Sequence, residues 1–193
     1  MAEVTRPRSP KDRISPAALF HAISRRVTPD MTLTVDVGAH RILANHVVQC
    51  LTPGQLLQSN GLGCMGYAIP AAIGAALVTD GKPVLAMLGD GSALMSLGEL
   101  AVVAELDLPI VTVIINDDDL ALIDLKQSKM NMARQGVRFK SPQFAELARG
   151  FGIAASRVTS IEAFDVALTE ALSTKRPVVI EALCDPSEYW EQM

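Results

Sequence analysis

The chain has 193 residues and a mass of 20.6 kDa, is 49% hydrophobic and 20% charged, and has a mean hydropathy of +0.28. This suits one globular domain of ordinary size and excludes a chain disordered throughout. Its 17 basic and 21 acidic residues leave a formal charge of −4, so no global field draws it to nucleic acid or anionic lipid, and any bound anion must be held by local geometry. Cys50, Cys64 and Cys184 make neither an even set nor a CxxC pair, which argues against a disulfide framework or zinc knuckle and for a reducing, cytoplasmic setting.

Residues 1–14 are polar and proline-punctuated, and are expected as a tail or linker remnant, leaving 15–193 as the domain. Ser15-Pro16 supplies a cap and first turn for a helix over Ala17 to Arg26. A β-rich run, Thr32 to Val37, ends at Gly38, and a helix is expected from Ala39. Val47 to Thr79 contains no acid or base, but Gly54, Gly61, Gly63, Gly66, Gly74 and Pro70 and the polar Gln58-Ser59-Asn60 argue against a membrane span. A short strand near Gln55 to Gln58 and an Ala-rich helix from Tyr67 to Val78 fit it better.

Further strands are predicted over Pro83 to Leu88, Pro109 to Ile115, Ala154 to Val158 and Pro177 to Leu183. Helices are predicted over Ala93 to Leu106, with Leu94, Leu97, Ala101 and Ala104 at helical spacing, over Pro142 to Phe151 and over Ile161 to Leu172. Strands apolar on both faces, alternating with helices, define an α/β fold, a parallel sheet of about six strands with helices on both faces.

Ligands of such sheets bind beyond the carboxyl ends of the strands. Asp36-Val37-Gly38, Gly89-Asp90-Gly91-Ser92 and Asn116-Asp117-Asp118-Asp119 each follow a strand. The GDGS segment also opens a helix, whose free N–H groups favour a phosphate. Carboxylates beside a phosphate need a cation between them, and Asp90 and Asp117, one helix and one strand apart, match magnesium, which takes few carboxylates together with phosphate oxygens and water.

GDGS followed by helix, strand and Asn116-Asp117 resembles the cofactor motif of the thiamine-diphosphate-dependent decarboxylases and carboligases. The resemblance extends to TVDVGAH (Thr34 to His40), SNGLGCMGYAIPAAIGAAL (Ser59 to Leu77), ALIDLKQ (Ala121 to Gln127) and VVIEALCDPSEY (Val178 to Tyr189). It is strongest to the diphosphate-binding domain of acetolactate synthase. The resemblance implies magnesium ligands at Asp90, Asp117 and the Asp119 carbonyl. Diphosphate contacts would come from Gly89, Gly91, Ser92 and Asn116, and from a second turn at Gly38, Ala39 and His40. Gly63, Cys64 and Met65 fall where the family holds the aminopyrimidine ring. Met65 would be the catalytic wedge that bends the cofactor so that its amine approaches the reactive thiazolium carbon.

Two departures bear on chemistry. Asp117 stands where the family usually has Asn, and Leu125, with Leu122 in the substrate pocket, stands where an aromatic residue is common. His40 is open to either a ligand contact or a surface position, and His21 and His46 have no metal-ligand spacing to it. The bases Lys126, Lys129, Arg134, Arg138 and Lys140 are expected on a solvated face, in a region that covers the site in the family. The glutamate that activates the cofactor in these enzymes lies on a pyrimidine-binding domain for which this chain has no room. The expected activity is therefore that of half a site, acting on a 2-oxoacid within a homo- or hetero-oligomer, with no nucleic-acid or membrane partner. Such a chain suits an acetolactate-synthase-like enzyme, a separate subunit of a sulfopyruvate- or phosphonopyruvate-type decarboxylase, or a noncatalytic binding module.

Overall fold

The computed structural model describes residues 13–192. Six apolar runs pair into one sheet: β1 (Thr32–Val35), β2 (Leu56–Gln58), β3 (Val84–Gly89), β4 (Ile110–Asn116), β5 (Ala154–Val158) and β6 (Val178–Leu183). Every pairing is parallel, in the order β2-β1-β3-β4-β6-β5. The registers Leu33 to Leu85, Leu85 to Val111 and Val111 to Val178 carry an aliphatic row across four strands.

Because strand side chains alternate, the sheet divides its residues between two cores. Leu33, Val35, Leu85, Met87, Val113 and Ile180 pack under α1 (Pro16–Ser24), α2 (Ala39–Val47) and α8 (Ile161–Thr174). Val84, Ala86, Leu88, Ile110, Ile114 and Val179 pack under α3 (Ala68–Val78), α4 (Asp90–Ser96), α5 (Leu100–Glu105) and α7 (Phe144–Gly150). The expected two-faced parallel sheet is present. Local chemistry sets the helix starts: Ser15 Oγ accepts from the Ala18 N–H at 3.3 Å with Pro16 in the first turn, and Ser160 Oγ accepts from the Ala163 N–H at 3.2 Å.

The structure differs from the sequence expectations at four places. Arg13 and Ile14, assigned to the tail, belong to the fold: Ile14 is buried and bridges to Cys184, and Arg13 donates to the Cys184 carbonyl. Residues 1–12 lie outside the described residues. The single helix expected over Ala93 to Leu106 is α4, a 3-10 turn (Leu97–Glu99) and α5. Its buried stripe is Ala93, Ser96, Leu100 and Val103, whereas Leu94 and Ala101 face outward. Finally, Ala121–Lys129 forms a helix, α6, and Tyr189–Gln192 a last turn, α9. The uncharged Val47 to Thr79 stretch becomes β2, a glycine-rich loop and α3, and no described helix is long and apolar enough to cross a membrane.

A charged side chain is carried into the core of the sheet. Glu181, on β6, is 0% exposed. It accepts from Asn116 Nδ2 at 2.8 Å, the Ala145 N–H at 3.0 Å and Arg157 Nε at 3.2 Å. It thus fastens α7 and the last residue of β4 to the sheet. Glu181→Ala leaves three donors without an acceptor and is expected to lower stability by about 3–5 kcal/mol, with Glu181→Gln intermediate. Urea denaturation checks this, and a loss below about 0.5 kcal/mol would show that the network is not stabilising.

Candidate functional site

The strand order places the chemistry. From β1 the chain goes outward to β2, and from the adjacent β3 it goes the other way to β4, so a crevice opens at the carboxyl ends of β1 and β3. A cavity of about 260 Å³ fills it. Its walls are the turn Val37–His40 after β1, Gly89–Ser92 after β3, and Asp117, Asp119 and Leu120–Ile123 after β4, with Gly63 and Met65 opposite and Lys126 on α6.

Asp36, to which the sequence assigned no role, ties three of these walls together. Its carboxylate is 0% exposed and accepts from the Val37 N–H at 2.8 Å, the Gly66 N–H at 3.1 Å, the Ala68 N–H at 2.8 Å and Ser92 Oγ at 2.9 Å. It therefore fixes the β1 turn, the loop carrying Met65 and the first turn of α4. Gly66, at φ +83°, is required here, because a Cβ would lie 3.2 Å from Met95 Cβ and the backbone is left-handed.

The acidic loop is built differently. Asp90 Oδ1 accepts from the Gly91 N–H at 2.7 Å, and Oδ2 accepts from the Asp118 N–H and Ser141 Oγ, both at 2.8 Å. Asp117 Oδ1 accepts from the Asp119 N–H at 3.1 Å. Asp119 pairs with Arg134, which also meets Asp124 at 2.6 Å, yet Asp119 Oδ1 is buried without a hydrogen-bond partner. Arg13 pairs with Asp118 at 2.6 Å. Burial raises the Asp90 pKa to about 6 and the Asp119 pKa to about 6. Burial, with Asp90 and Asp119 alongside, pushes Asp117 well above the carboxylate range.

The other walls shape the cavity. A Cβ on Gly91 would sit 2.8 Å from Leu120 Cδ2 and 3.1 Å from Met65 Cε, so glycine leaves room between Met65 and the acidic loop. His40 is buried against Gly38 and Gly89, not on the surface, and its Nε2 has no partner. Burial lowers its pKa to about 4, partly offset by the Asp36 charge and a hydrogen bond to the Asp36 backbone. No three His, Cys, Asp or Glu side chains form a metal cage among the described residues. The Asp90, Asp117 and Asp119 oxygens would instead need phosphate oxygens or water to complete a cation's shell.

Most of the residues expected at the site meet here: Gly38, Ala39, His40, Gly63, Met65, Gly89, Asp90, Gly91, Ser92, Asp117, Asp119 and Leu122 all line the cavity. Three other expected residues are not in this lining. Asn116 is turned into the sheet toward Glu181, Cys64 is an exposed thiol outside the cavity lining, and Leu125 is buried behind it. Besides Asp36, the sequence reading missed Ser141 and the pairing of Arg134. Only the position of Asp36 directly after a strand was a usable signal; Ser141 reaches Asp90 across 51 residues.

The raised acids fix a pH dependence. Without a cation, folded Asp90, Asp117 and Asp119 hold protons that the unfolded chain gives up, so their contribution to stability is lost as pH rises from about 4 through about 6. His40, with a folded pKa of about 4, opposes them with one group, and Asp118, whose pKa is lowered mainly by Arg13 against the raising effect of burial, acts only below this window. In EDTA the chain should be more stable at pH 5 than at pH 7.5. Asp117→Asn should raise stability at pH 7.5 by about 1–3 kcal/mol by removing a buried charge. Denaturation curves that coincide at both pH values and for both chains would contradict this.

Comparison with known proteins agrees with the geometry. Residues 36–182 match the family described as "Thiamine pyrophosphate enzyme, C-terminal TPP binding domain". The chain is 34% identical over 158 residues to a Methanocaldococcus jannaschii protein named "Probable acetolactate synthase large subunit", covering 81% of this chain and 27% of the relative. It is 32% identical over 185 residues to the mitochondrial acetolactate synthase of Schizosaccharomyces pombe, covering 94% and 28%. It is 31% identical over 177 residues to the acetolactate synthase of Bacillus subtilis, covering 92% and 31%. The chain thus spans less than a third of the length of these relatives. It belongs to the thiamine pyrophosphate enzyme family, as a C-terminal TPP-binding domain similar along most of its length to that of acetolactate synthases.

Proposed function

We propose that this chain holds thiamine diphosphate through a magnesium bridge and supplies the diphosphate half of an active site that decarboxylates a 2-oxoacid and transfers its acyl group, as in acetolactate formation. The observation that carries this is the meeting of Asp90 and Asp117 with the Gly89–Ser92 turn in one cavity, opposite Met65. The unpartnered Asp119 Oδ1 and His40 Nε2 and the space kept by Gly91 fit a polyanion held with a cation.

In this reading Asp90, Asp117 and the Asp119 carbonyl hold the cation, while the Gly38–His40 turn and Ser92 face the diphosphate. Met65 bounds the space for the ring system. When bound, the cofactor supplies the electron sink that decarboxylation of a 2-oxoacid requires. The protein's share is orientation: Asp36 fixes the Met65 loop and Ser92 relative to each other, and Leu120 and Leu122 keep the wall of the reaction space apolar.

Among the described residues no glutamate lines the cavity; Glu99 and Glu105 lie on the exposed side of the α4–α5 segment. A carboxylate to activate the pyrimidine ring would therefore come from a separate pyrimidine-binding domain or subunit. The exposed Leu62, Leu94 and Met95, near the Met65 loop, suit an apolar docking surface for it. Free thiols at Cys50, Cys64 and Cys184 suit a cytoplasmic setting.

Calorimetric titration with thiamine diphosphate, with and without EDTA, tests the bridge. Magnesium should tighten binding by more than about tenfold, and Asp90→Ala should abolish that increment. Equal affinity in both conditions would remove the cation from the account.

A further inference from the structure

The cavity has one charged wall that the cofactor reading leaves unused. Lys126 lines it, on the same face of α6 as Leu122, one helical turn away. Between the acidic loop and Lys126 in the chain, Leu120, Ala121, Leu122 and Ile123 line the same cavity with apolar side chains. Arg134 is committed to Asp119 and Asp124, and Arg13 to Asp118. Lys126 is exposed, and its ammonium forms no hydrogen bond or ion pair among the described residues. An apolar wall ending in an uncompensated cation is the lining expected where an elongated molecule with an anionic far end is recognised.

Resting on the function proposed above, we infer that Lys126 is a specificity-determining residue for a 2-oxoacid that carries a second anionic group at the end of its side chain. The substrate's own 2-oxo carboxylate is a poor partner for this lysine. That carboxylate departs as carbon dioxide, so its charge is lost on the way to the transition state, and an ammonium paired with it would stabilise the ground state more and slow the step. A second anion that stays with the product carries no such cost. Its pairing with Lys126 is unchanged through the reaction and selects which oxoacid enters. The shared chemistry is a terminal carboxylate, sulfonate or phosphonate.

The experiment is calorimetric titration of the full chain, first with thiamine diphosphate and magnesium, then of the loaded chain with oxoacids differing only at the far end. The pairs are 2-oxobutyrate against 3-sulfopyruvate and 3-phosphonopyruvate, and 2-oxovalerate against 2-oxoglutarate. The natural chain should bind the anion-ended member at least about tenfold more tightly, and the ranking of the three anions names the group preferred. Lys126→Met should erase the preference and Lys126→Arg should keep it. Equal binding within each pair, or an undiminished preference in Lys126→Met, overturns the inference and leaves the cofactor reading standing. A natural chain that does not bind thiamine diphosphate overturns the cofactor reading and this inference with it.

Discussion

Buried negative charge at one edge of the sheet is the constraint on which the rest of the site depends. Gly89 pairs with Ile115 in the parallel register of β3 and β4, so Asp90 and Asp117 leave the sheet side by side. Neither has an ion pair with Lys or Arg among the described residues, and both are nearly inaccessible to water. Two close carboxylates in a poorly solvated crevice must take up protons or share a cation. The raised pKa values are the first outcome, and a cation shared between the two would be the second. The fold therefore sets up an electrostatic deficit that a metal and its phosphate ligand would relieve together.

Asp36 shows the opposite use of a buried carboxylate. Four donors converge on it from the β1 turn, the Met65 loop and α4, so its charge is fully engaged in bracing. Asp90 accepts three hydrogen bonds and still faces the cavity, while Asp119 keeps one oxygen without a partner. Hydrogen-bond partners, more than burial, separate the acid that holds the walls in place from the acids left open to a ligand. The Ser141 hydroxyl and the Arg134 guanidinium join the segment after α6 to this open group, so that segment is anchored on the ligand-facing carboxylates.

The strands and the residues just after them were legible in the sequence because a parallel sheet covered on both faces demands long apolar runs, and its carboxyl edge demands polar turns. Asp90, Asp117 and Met65 were found in this way and by resemblance. Less was legible where long-range packing decides. Asn116 has the same residue context as Asp117, but strand alternation turns it toward Glu181, 65 positions away. Cys64 sits between two cavity-lining residues and still points outward. The buried stripe of the Ala93 to Leu106 segment lies one position earlier than expected along its whole length, because Ala93, Ser96, Leu100 and Val103 share the spacing of Leu94, Leu97, Ala101 and Ala104 and period counting does not choose between the two. Ile14 looked like tail because its partner strand residue, Cys184, closes the far end of the chain.

A crystal of the chain grown with thiamine diphosphate and manganese in place of magnesium tests the central claim most directly, since manganese accepts the same oxygen ligands and reports its position by anomalous scattering. The account predicts one metal peak within about 2.0–2.3 Å of carboxylate oxygens of both Asp90 and Asp117, with diphosphate oxygens completing its shell. Bound cofactor with no metal at that place, or a metal held away from these two residues, would contradict it.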